Sequence, residues 1–160
     1  MDNSKMLWKL PPKIKIYEAL GSIADNRISV SDNSAEVYSS SRKKKYTVQY
    51  DPEKNGIMAN DNASYWAGYL GYPSIAFLLV KGVIGYDSKF ANALEDIPWK
   101  DVNVKFRSKY EKTEKYVKEI VASRNISVSK LEAEVDKIYE QLKQLDLEKL
   151  GKRIRPPKGY

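Results

Sequence analysis

The chain of 160 residues contains no cysteine and no histidine. The absence of cysteine excludes disulfide bonds, thiolate zinc sites and cysteine nucleophiles. The absence of histidine removes the commonest general base and the commonest metal ligand. The sequence also lacks an Asp-x-Asp-x-Asp-Gly pattern for a metal held by carboxylates, and it shows no nucleophile paired with a base. We therefore predict a protein that is not an enzyme and that holds no metal and no cofactor.

Long apolar runs are absent as well. The most apolar run, residues 75–80, is far shorter than the roughly 20 apolar residues of a membrane-spanning helix. The beginning of the chain, MDNSKMLWKLPPK, lacks the apolar core and the small-residue cleavage site of a secretory signal peptide. We therefore expect a cytoplasmic protein that does not bind membranes.

The net charge of +7 is distributed unevenly along the chain. Residues 1–100 contain 13 Lys or Arg against 11 Asp or Glu, whereas residues 101–160 contain 15 against 10. One basic cluster, the basic tip, comprises Arg42, Lys43, Lys44 and Lys45; a second, in the basic tail of residues 151–160, comprises Lys152, Arg153, Arg155 and Lys158. Such clusters bind the phosphates of DNA or RNA, but charge at a hairpin also prevents edge-to-edge aggregation. Both interpretations stay open on charge alone.

The first half of the chain predicts a helix, an antiparallel β-meander and a buried helix. Apolar residues at helical spacing, preceded by two prolines, indicate a helix over residues 13–24. Short strands are expected over residues 27–31, 35–40, 46–50 and 57–60. Residues 61–72 form an aromatic loop, and the sequence leaves open whether its large side chains (Tyr65, Trp66, Tyr69 and Tyr72) belong to the core or to a binding surface. Residues 73–81 are apolar nearly all round, which is typical of a buried helix.

The second half predicts helices followed by the basic tail. Helices are expected over residues 88–95 and 109–124, and Ile97-Pro98-Trp99 is expected to break the chain after the first of them. A third helix carries a heptad seam of Leu131, Val135, Ile138, Leu142 and Leu145. This seam either closes an antiparallel helical hairpin or binds a protein partner or a second copy of the chain. We divide the chain into a core domain (residues 1–100), a C-terminal helical hairpin (101–150) and a disordered tail (151–160). The predicted fold class is α+β: an N-terminal helix, an antiparallel β-meander packed on a buried helix, and the hairpin.

Three short motifs lie ahead of the apolar helix: Arg27-Ile28, Ser39-Ser40-Ser41 and Tyr46-Thr47-Val48. Together with the order of elements, they resemble the SWIM zinc-finger module over residues 18–82. The four zinc ligands of that family would fall at Ile57, Ala59, Gly71 and Pro73, none of which can bind zinc. The resemblance therefore implies a SWIM-like scaffold without its metal, and a module that binds DNA or other proteins and does not catalyse a reaction.

Two functional hypotheses follow. The first is a non-enzymatic module that contacts nucleic acid weakly, and without strong sequence preference, through the basic tip and the basic tail. The alternative is a protein-interaction or scaffold subunit that uses the heptad seam and binds no nucleic acid. An enzyme, the third hypothesis, would have to work with carboxylates, lysines or tyrosines alone.

Overall fold

The computed structural model describes residues 6–107 and 109–158. It confirms the predicted α+β fold. The helices are α1 (Ile14–Ala24), α2 (Tyr72–Lys81), α3 (Ser88–Asn92), α4 (Trp99–Lys105), α5 (Tyr110–Ser123) and α6 (Val128–Leu145). The strands are β1 (Ile28–Ser31), β2 (Ser34–Tyr38), β3 (Lys45–Asp51), β4 (Gly56–Ala59) and β5 (Glu148–Lys149). A π-helical turn, Ala63–Ala67, lies within the aromatic loop.

Strands β1 to β4 form the predicted antiparallel meander, in which each strand pairs with the next. Ala35 lies opposite Val48 and Val37 lies opposite Tyr46, so the buried side chains of β2 and β3 share one face of the sheet. The sequence did not predict β5, which pairs in parallel with β4, because a strand of two residues is too short to show an alternating pattern. With neighbours on both sides, all of β4 is buried.

Helix α2 lies at the centre of the core, as its apolar sequence predicts. Every residue from Pro73 to Leu79 is buried, and the helix packs against α1 and against the sheet. Gly82, with a positive φ of 85°, ends the helix in the left-handed conformation that glycine adopts without strain. Since burying one large apolar side chain contributes about 1.5–3 kcal/mol, this helix is a major source of stability.

The heptad seam faces the core of its own chain. Helix α6 packs this side against α1 and α5. The seam is therefore covered: four of its residues are buried and one is partly buried, namely Leu131, Val135, Ile138 and Leu142, and Leu145. The prediction that the seam binds a partner therefore needs correction, since its side chains are already covered. The intramolecular packing that the sequence left open is the arrangement found. The buried residues of α5 and α6 belong to the same apolar cluster as those of the sheet.

Helix α4 was not predicted, because the pair Pro98-Trp99 was interpreted as a break. In the structure, Pro98 is the N-cap of α4 and Trp99 is its first residue. Proline is tolerated at the start of a helix because the N–H groups there have no partner within the helix. In the described part of the tail, residues 151–158, no helix or strand is present. Over the ranges that the structure describes, no helix has the length and the apolarity needed to cross a bilayer.

Candidate nucleic-acid interface

Four exposed cations meet where α4 gives way to α5. Lys105, Arg107, Lys109 and Lys112 surround the half-buried ring of Phe106 in a shallow groove of about 210 Å³, here called the basic groove. Asp101 and Glu111 belong to the same stretch of chain, yet among the described residues no ion pair involves any of the four cations. The groove therefore keeps an uncompensated positive charge that attracts anions.

Two of these cations, Lys109 and Lys112, oppose the usual electrostatics of a helix at the start of α5, beside Glu111; Lys105, in the last turn of α4, does not. Lys109 occupies the N-cap of α5 without a side-chain cap hydrogen bond, and Lys112 lies in the first turn. The N-terminus of a helix carries partial positive charge and is stabilised by acidic residues, not by lysines. Local violations of such rules concentrate at functional sites. The groove and the end of α5 together present positive charge to one patch of solvent.

The aromatic loop lies beside the basic groove. The hydroxyl groups of Tyr69 and Tyr110 are 2.7 Å apart and form a hydrogen bond that joins the loop to the first residue of α5. Tyr65 and Trp66 meet edge to face with ring centroids 4.6 Å apart, and Trp66 is 71% exposed. A tryptophan this exposed contributes little to the core and offers a flat apolar surface to a ligand.

The aromatic loop thus divides into a surface part and an inner part. Tyr72, at the start of α2, packs edge to face on Tyr46 with a centroid distance of 6.3 Å. Burial raises the pKa of the Tyr72 hydroxyl above its ordinary value, although the nearby Arg27 guanidinium acts in the opposite direction. Trp66 is therefore the large side chain of this loop that a ligand on the surface reaches most easily, and Tyr72 belongs to the inner part.

The basic tail reaches the same surface. The guanidinium of Arg153 lies 4.5 Å from the ring centroid of Tyr65, and its Nη1 donates a hydrogen bond of 3.2 Å to the Tyr65 carbonyl oxygen. Lys152, Arg155 and Lys158 are exposed. Arg153 thus brings the tail alongside Trp66. The tail, the aromatic loop and the basic groove are together called the basic band: Arg153 links the first two, and the Tyr69–Tyr110 hydrogen bond links the loop to the start of α5.

The basic tip lies elsewhere, against the end of α1 and the beginning of α4. Arg42 Nη2 donates to the Asp25 carbonyl oxygen at 2.7 Å, and Lys45 Nζ lies 3.4 Å from Glu36 Oε1. Lys43 is exposed and Lys44 is half-buried. Part of the charge predicted for this tip is thus engaged within the chain. The tip thus contacts α1 and lies beside α4, whereas the tail contacts the aromatic loop.

Between the tip and the band lies a polar cavity of about 290 Å³, bounded by α1, the hairpin that carries the tip, the aromatic loop and α4. Val104, which is 68% exposed, and Arg107 lie on its side facing solvent. Arg107 also lines the basic groove, so the two depressions meet at this residue. The sequence could not indicate the cavity, because its walls come from segments more than 80 residues apart.

Two charged residues of the cavity wall are almost fully buried. Glu18 is 2% exposed and accepts hydrogen bonds from Lys15 Nζ at 3.1 Å and from Asn103 Nδ2 at 2.7 Å. Burial opposes the charge of Lys15, but the Glu18 carboxylate outweighs that effect and raises the pKa of the ammonium. Arg27 is also 2% exposed, and its Nη1 donates to the Tyr38 carbonyl oxygen at 2.8 Å.

The Nε atom of Arg27 has no hydrogen-bond acceptor in the described part of the chain, although Asp25 Oδ2 lies 3.6 Å away. Asp25 therefore compensates the charge of Arg27, but the Nε–H donor of Arg27 has no hydrogen-bond acceptor among the described residues. A buried donor without an acceptor costs about 1–3 kcal/mol.

Asp61 is the third buried charged group on the cavity wall. It is 3% exposed and accepts hydrogen bonds from the hydroxyl and the backbone N–H of Ser64. Burial raises the pKa of the Asp61 carboxyl despite these hydrogen bonds, which act to lower it. Its carboxylate lies directly against Gly71, where no side chain would fit.

The positions that the SWIM resemblance assigns to zinc ligands are filled with packed residues. Ile57 and Ala59 are buried in β4, and Gly71 and Pro73 are buried around the start of α2. The indole Nε1 of Trp8 donates to the Ile57 carbonyl oxygen at 2.7 Å, which ties the N-terminal segment to β4. Within the described ranges, no group of three or more acidic side chains is placed to hold a metal ion.

The fold is thus an α+β module with a five-stranded sheet, a basic band and an adjoining cavity. The chain belongs to the family described as "Uncharacterised conserved protein UCP014422", whose sequence profile matches residues 8–148. No curated protein and no solved structure matches the chain significantly.

Proposed function

We propose that this protein is a non-enzymatic nucleic-acid-binding module that holds single strands with little sequence preference. The observation that carries the proposal is that three features are linked. The Tyr69–Tyr110 hydrogen bond ties the loop that carries the exposed Trp66 to the start of α5, at the cations of the basic groove, and Arg153 ties the tail to Tyr65 of the same loop. The SWIM-like order of elements over residues 18–82, which we propose as a metal-free version of that scaffold, agrees with a binding module.

Each part of the band has a distinct physical role. Exposed lysines and arginines without ion-pair partners release counterions when they contact phosphates, and this release gives an affinity that falls steeply with salt. An exposed aromatic ring stacks on any base, contributing about 1–3 kcal/mol per base. Phosphate contacts and stacking do not distinguish one base from another, so binding is tolerant of sequence.

A preference for single strands follows from Trp66. A base must leave its duplex stack before its face can rest on a protein side chain, so duplex DNA cannot use this ring without distortion. The hydrogen bond between Tyr69 and Tyr110 ties the loop that carries this ring to the start of α5, at the groove of about 210 Å³. A strand crossing this bond would contact cations on one side and an aromatic face on the other.

The basic tip has a secondary role in this proposal. Ser40, near the tip, accepts a hydrogen bond of 2.9 Å from the Lys100 backbone, which places the tip next to the first turn of α4. Lys43 and Arg42 there extend the positive surface beyond the cavity. The alternative function, a scaffold that uses the heptad seam, loses its support because the seam is buried.

The experiment measures binding of the full chain to fluorescently labelled single-stranded and double-stranded DNA and RNA at about 50 mM and about 200 mM salt. The test variant is Lys109→Gln/Lys112→Gln, which removes two charges from the basic groove. The control variant is Lys54→Gln/Lys130→Gln, which removes two exposed charges elsewhere; Lys130 is the third residue of α6, as Lys112 is of α5.

The proposal predicts tighter binding to single strands, a steep loss with salt, and at least a tenfold loss in the groove variant at low salt. The control variant should bind within about threefold of wild type, which leaves room for the general loss of two charges. No binding by the wild type at low salt, or equal losses in the two variants, would overturn the proposal.

A further inference from the structure

We propose that the polar cavity beside the basic groove is a pocket for one nucleobase, with the phosphate of the same nucleotide held at Arg107. This inference rests on the proposed function in one respect: the base that fills the pocket is turned inward from a strand in the groove. The pocket would also accept a free nucleoside monophosphate, because the base and its own phosphate supply both contacts.

The size and position of the cavity fit this ligand. Its volume of about 290 Å³ is close to the lower end of the range for small-molecule pockets, about 300–1,000 Å³. Arg107 lines both the cavity and the groove. A phosphate bound at Arg107 therefore lies at the edge of both depressions, and the base of the same nucleotide can enter the cavity.

The wall chemistry favours a base over a simple anion. The acidic and basic groups deep in the wall already have partners in the chain: Lys15 pairs with Glu18, Arg27 lies near Asp25, and Asp61 accepts hydrogen bonds from Ser64. The remaining interior offers aromatic rings, Tyr46, Tyr72 and Trp99, together with the amide of Asn103. Aromatic faces and neutral hydrogen-bonding groups are what a flat, uncharged, polar ring requires.

Arg27 lines the cavity as a guanidinium that is only 2% exposed. Its Nη1 donates to the Tyr38 carbonyl oxygen and its Nε lies 3.6 Å from Asp25 Oδ2, so its donors face acceptors of its own chain. A wall that contains this cation and the amide of Asn103 favours a ligand with neutral acceptors, such as the carbonyl oxygens and ring nitrogens of nucleobases. At the mouth the charge changes: Arg107 is exposed, forms no ion pair within the described chain, and suits a phosphate.

The test is isothermal titration calorimetry of the full chain with adenosine, guanosine, cytidine and uridine 5′-monophosphates, with the four nucleosides, and with inorganic phosphate. At least one monophosphate should bind, its nucleoside at least fivefold more weakly, and inorganic phosphate more weakly still. Val104→Trp, a change at the exposed mouth, should weaken the monophosphate at least tenfold. Arg107→Gln should weaken the monophosphate but leave the nucleoside within twofold.

The outcomes separate this inference from the proposed function. If Val104→Trp binds monophosphates as tightly as wild type, or if inorganic phosphate binds as tightly as the nucleotides, the cavity is not a base pocket. If no monophosphate binds while long single strands still bind through the groove, the inference fails and the proposed function stands. Thermal melting of both variants verifies that they are folded. If Val104→Trp misfolds, Arg107→Gln still tests the inference, because Arg107 is exposed: unchanged monophosphate affinity in this variant would overturn it.

Discussion

Gly71 lies so close to the carboxylate of Asp61 that a Cβ atom at residue 71 would overlap Oδ2. The φ of Gly71 is −80°, which any residue adopts, so glycine is required for space and not for conformation. The contact joins the beginning of the aromatic loop to the N-cap of α2.

Gly71→Ala should lower the free energy of unfolding by about 3 kcal/mol, since the new methyl group overpacks a buried contact. Urea denaturation provides the measurement. Gly85→Ala is the matched control, because a Cβ there would meet its nearest neighbour, Gln141 Oε1, at 3.8 Å. If the Asp61 carboxylate causes the loss, Gly71→Ala should lower the free energy of unfolding by less in an Asp61→Ala background than in wild type. An equal loss in both backgrounds would contradict the account.

The raised pKa of Asp61 predicts a specific pH dependence of stability. The pKa of an Asp carboxyl in the unfolded chain is about 3.9, and the folded chain binds the Asp61 proton more tightly than that. The contribution of this carboxyl to the free energy of unfolding therefore falls as the pH rises from about 4 upward. Relative to Asp61→Asn, wild type should lose stability over this range in urea titrations. A difference that is constant with pH, or that grows in favour of wild type, would contradict the assignment.

The buried seam of α6 predicts a loss of stability and no change of mass. Ile138→Ala should lower the free energy of unfolding by about 2–5 kcal/mol, the range for removing a large side chain from a core, because Ile138 is fully buried. Sedimentation analysis should give the same mass for the variant and for wild type. A wild-type dimer that dissociates in the variant would restore the partner-binding hypothesis.

Trp66 should matter for binding and not for stability. Trp66→Ala is expected to weaken single-strand binding by about 1–3 kcal/mol, the value for losing one stacked base. The melting temperature should change little, because the side chain is 71% exposed. Fluorescence anisotropy with labelled single strands measures the first effect and circular dichroism the second. Unchanged affinity, or an equal loss for duplex DNA, would remove Trp66 from the interface.

The elements with strong periodicity were predictable from the sequence. The apolar stripe of α1, the alternation in β3 and the all-apolar α2 each follow from local patterns, and the structure has them nearly where expected. Helix α4 was missed because Pro98 and Trp99 suggested a break, and β5 was missed because Glu148–Lys149 is too short to show a period. These two elements depend on tertiary contacts that no local pattern contains.

The candidate site was harder to predict than the fold. The sequence pointed to dense runs of charge, the tip and the tail, whereas the basic groove has its cations spread over residues 105–112 and interrupted by other types. Only the turn between α4 and α5 brings Lys105 and Lys112 together. A signal was present nonetheless: lysines at the start of α5, where acidic residues are favoured.

The most direct test of the nucleic-acid proposal is the salt dependence of single-strand binding. The logarithm of the association constant is measured against the logarithm of salt concentration for wild type and for Lys109→Gln/Lys112→Gln. If each lysine contacts one phosphate, the slope for single strands should become less steep by about 1.4, since each contact contributes about 0.7. Parallel lines for the two proteins would show that these lysines touch no phosphate and would contradict the account.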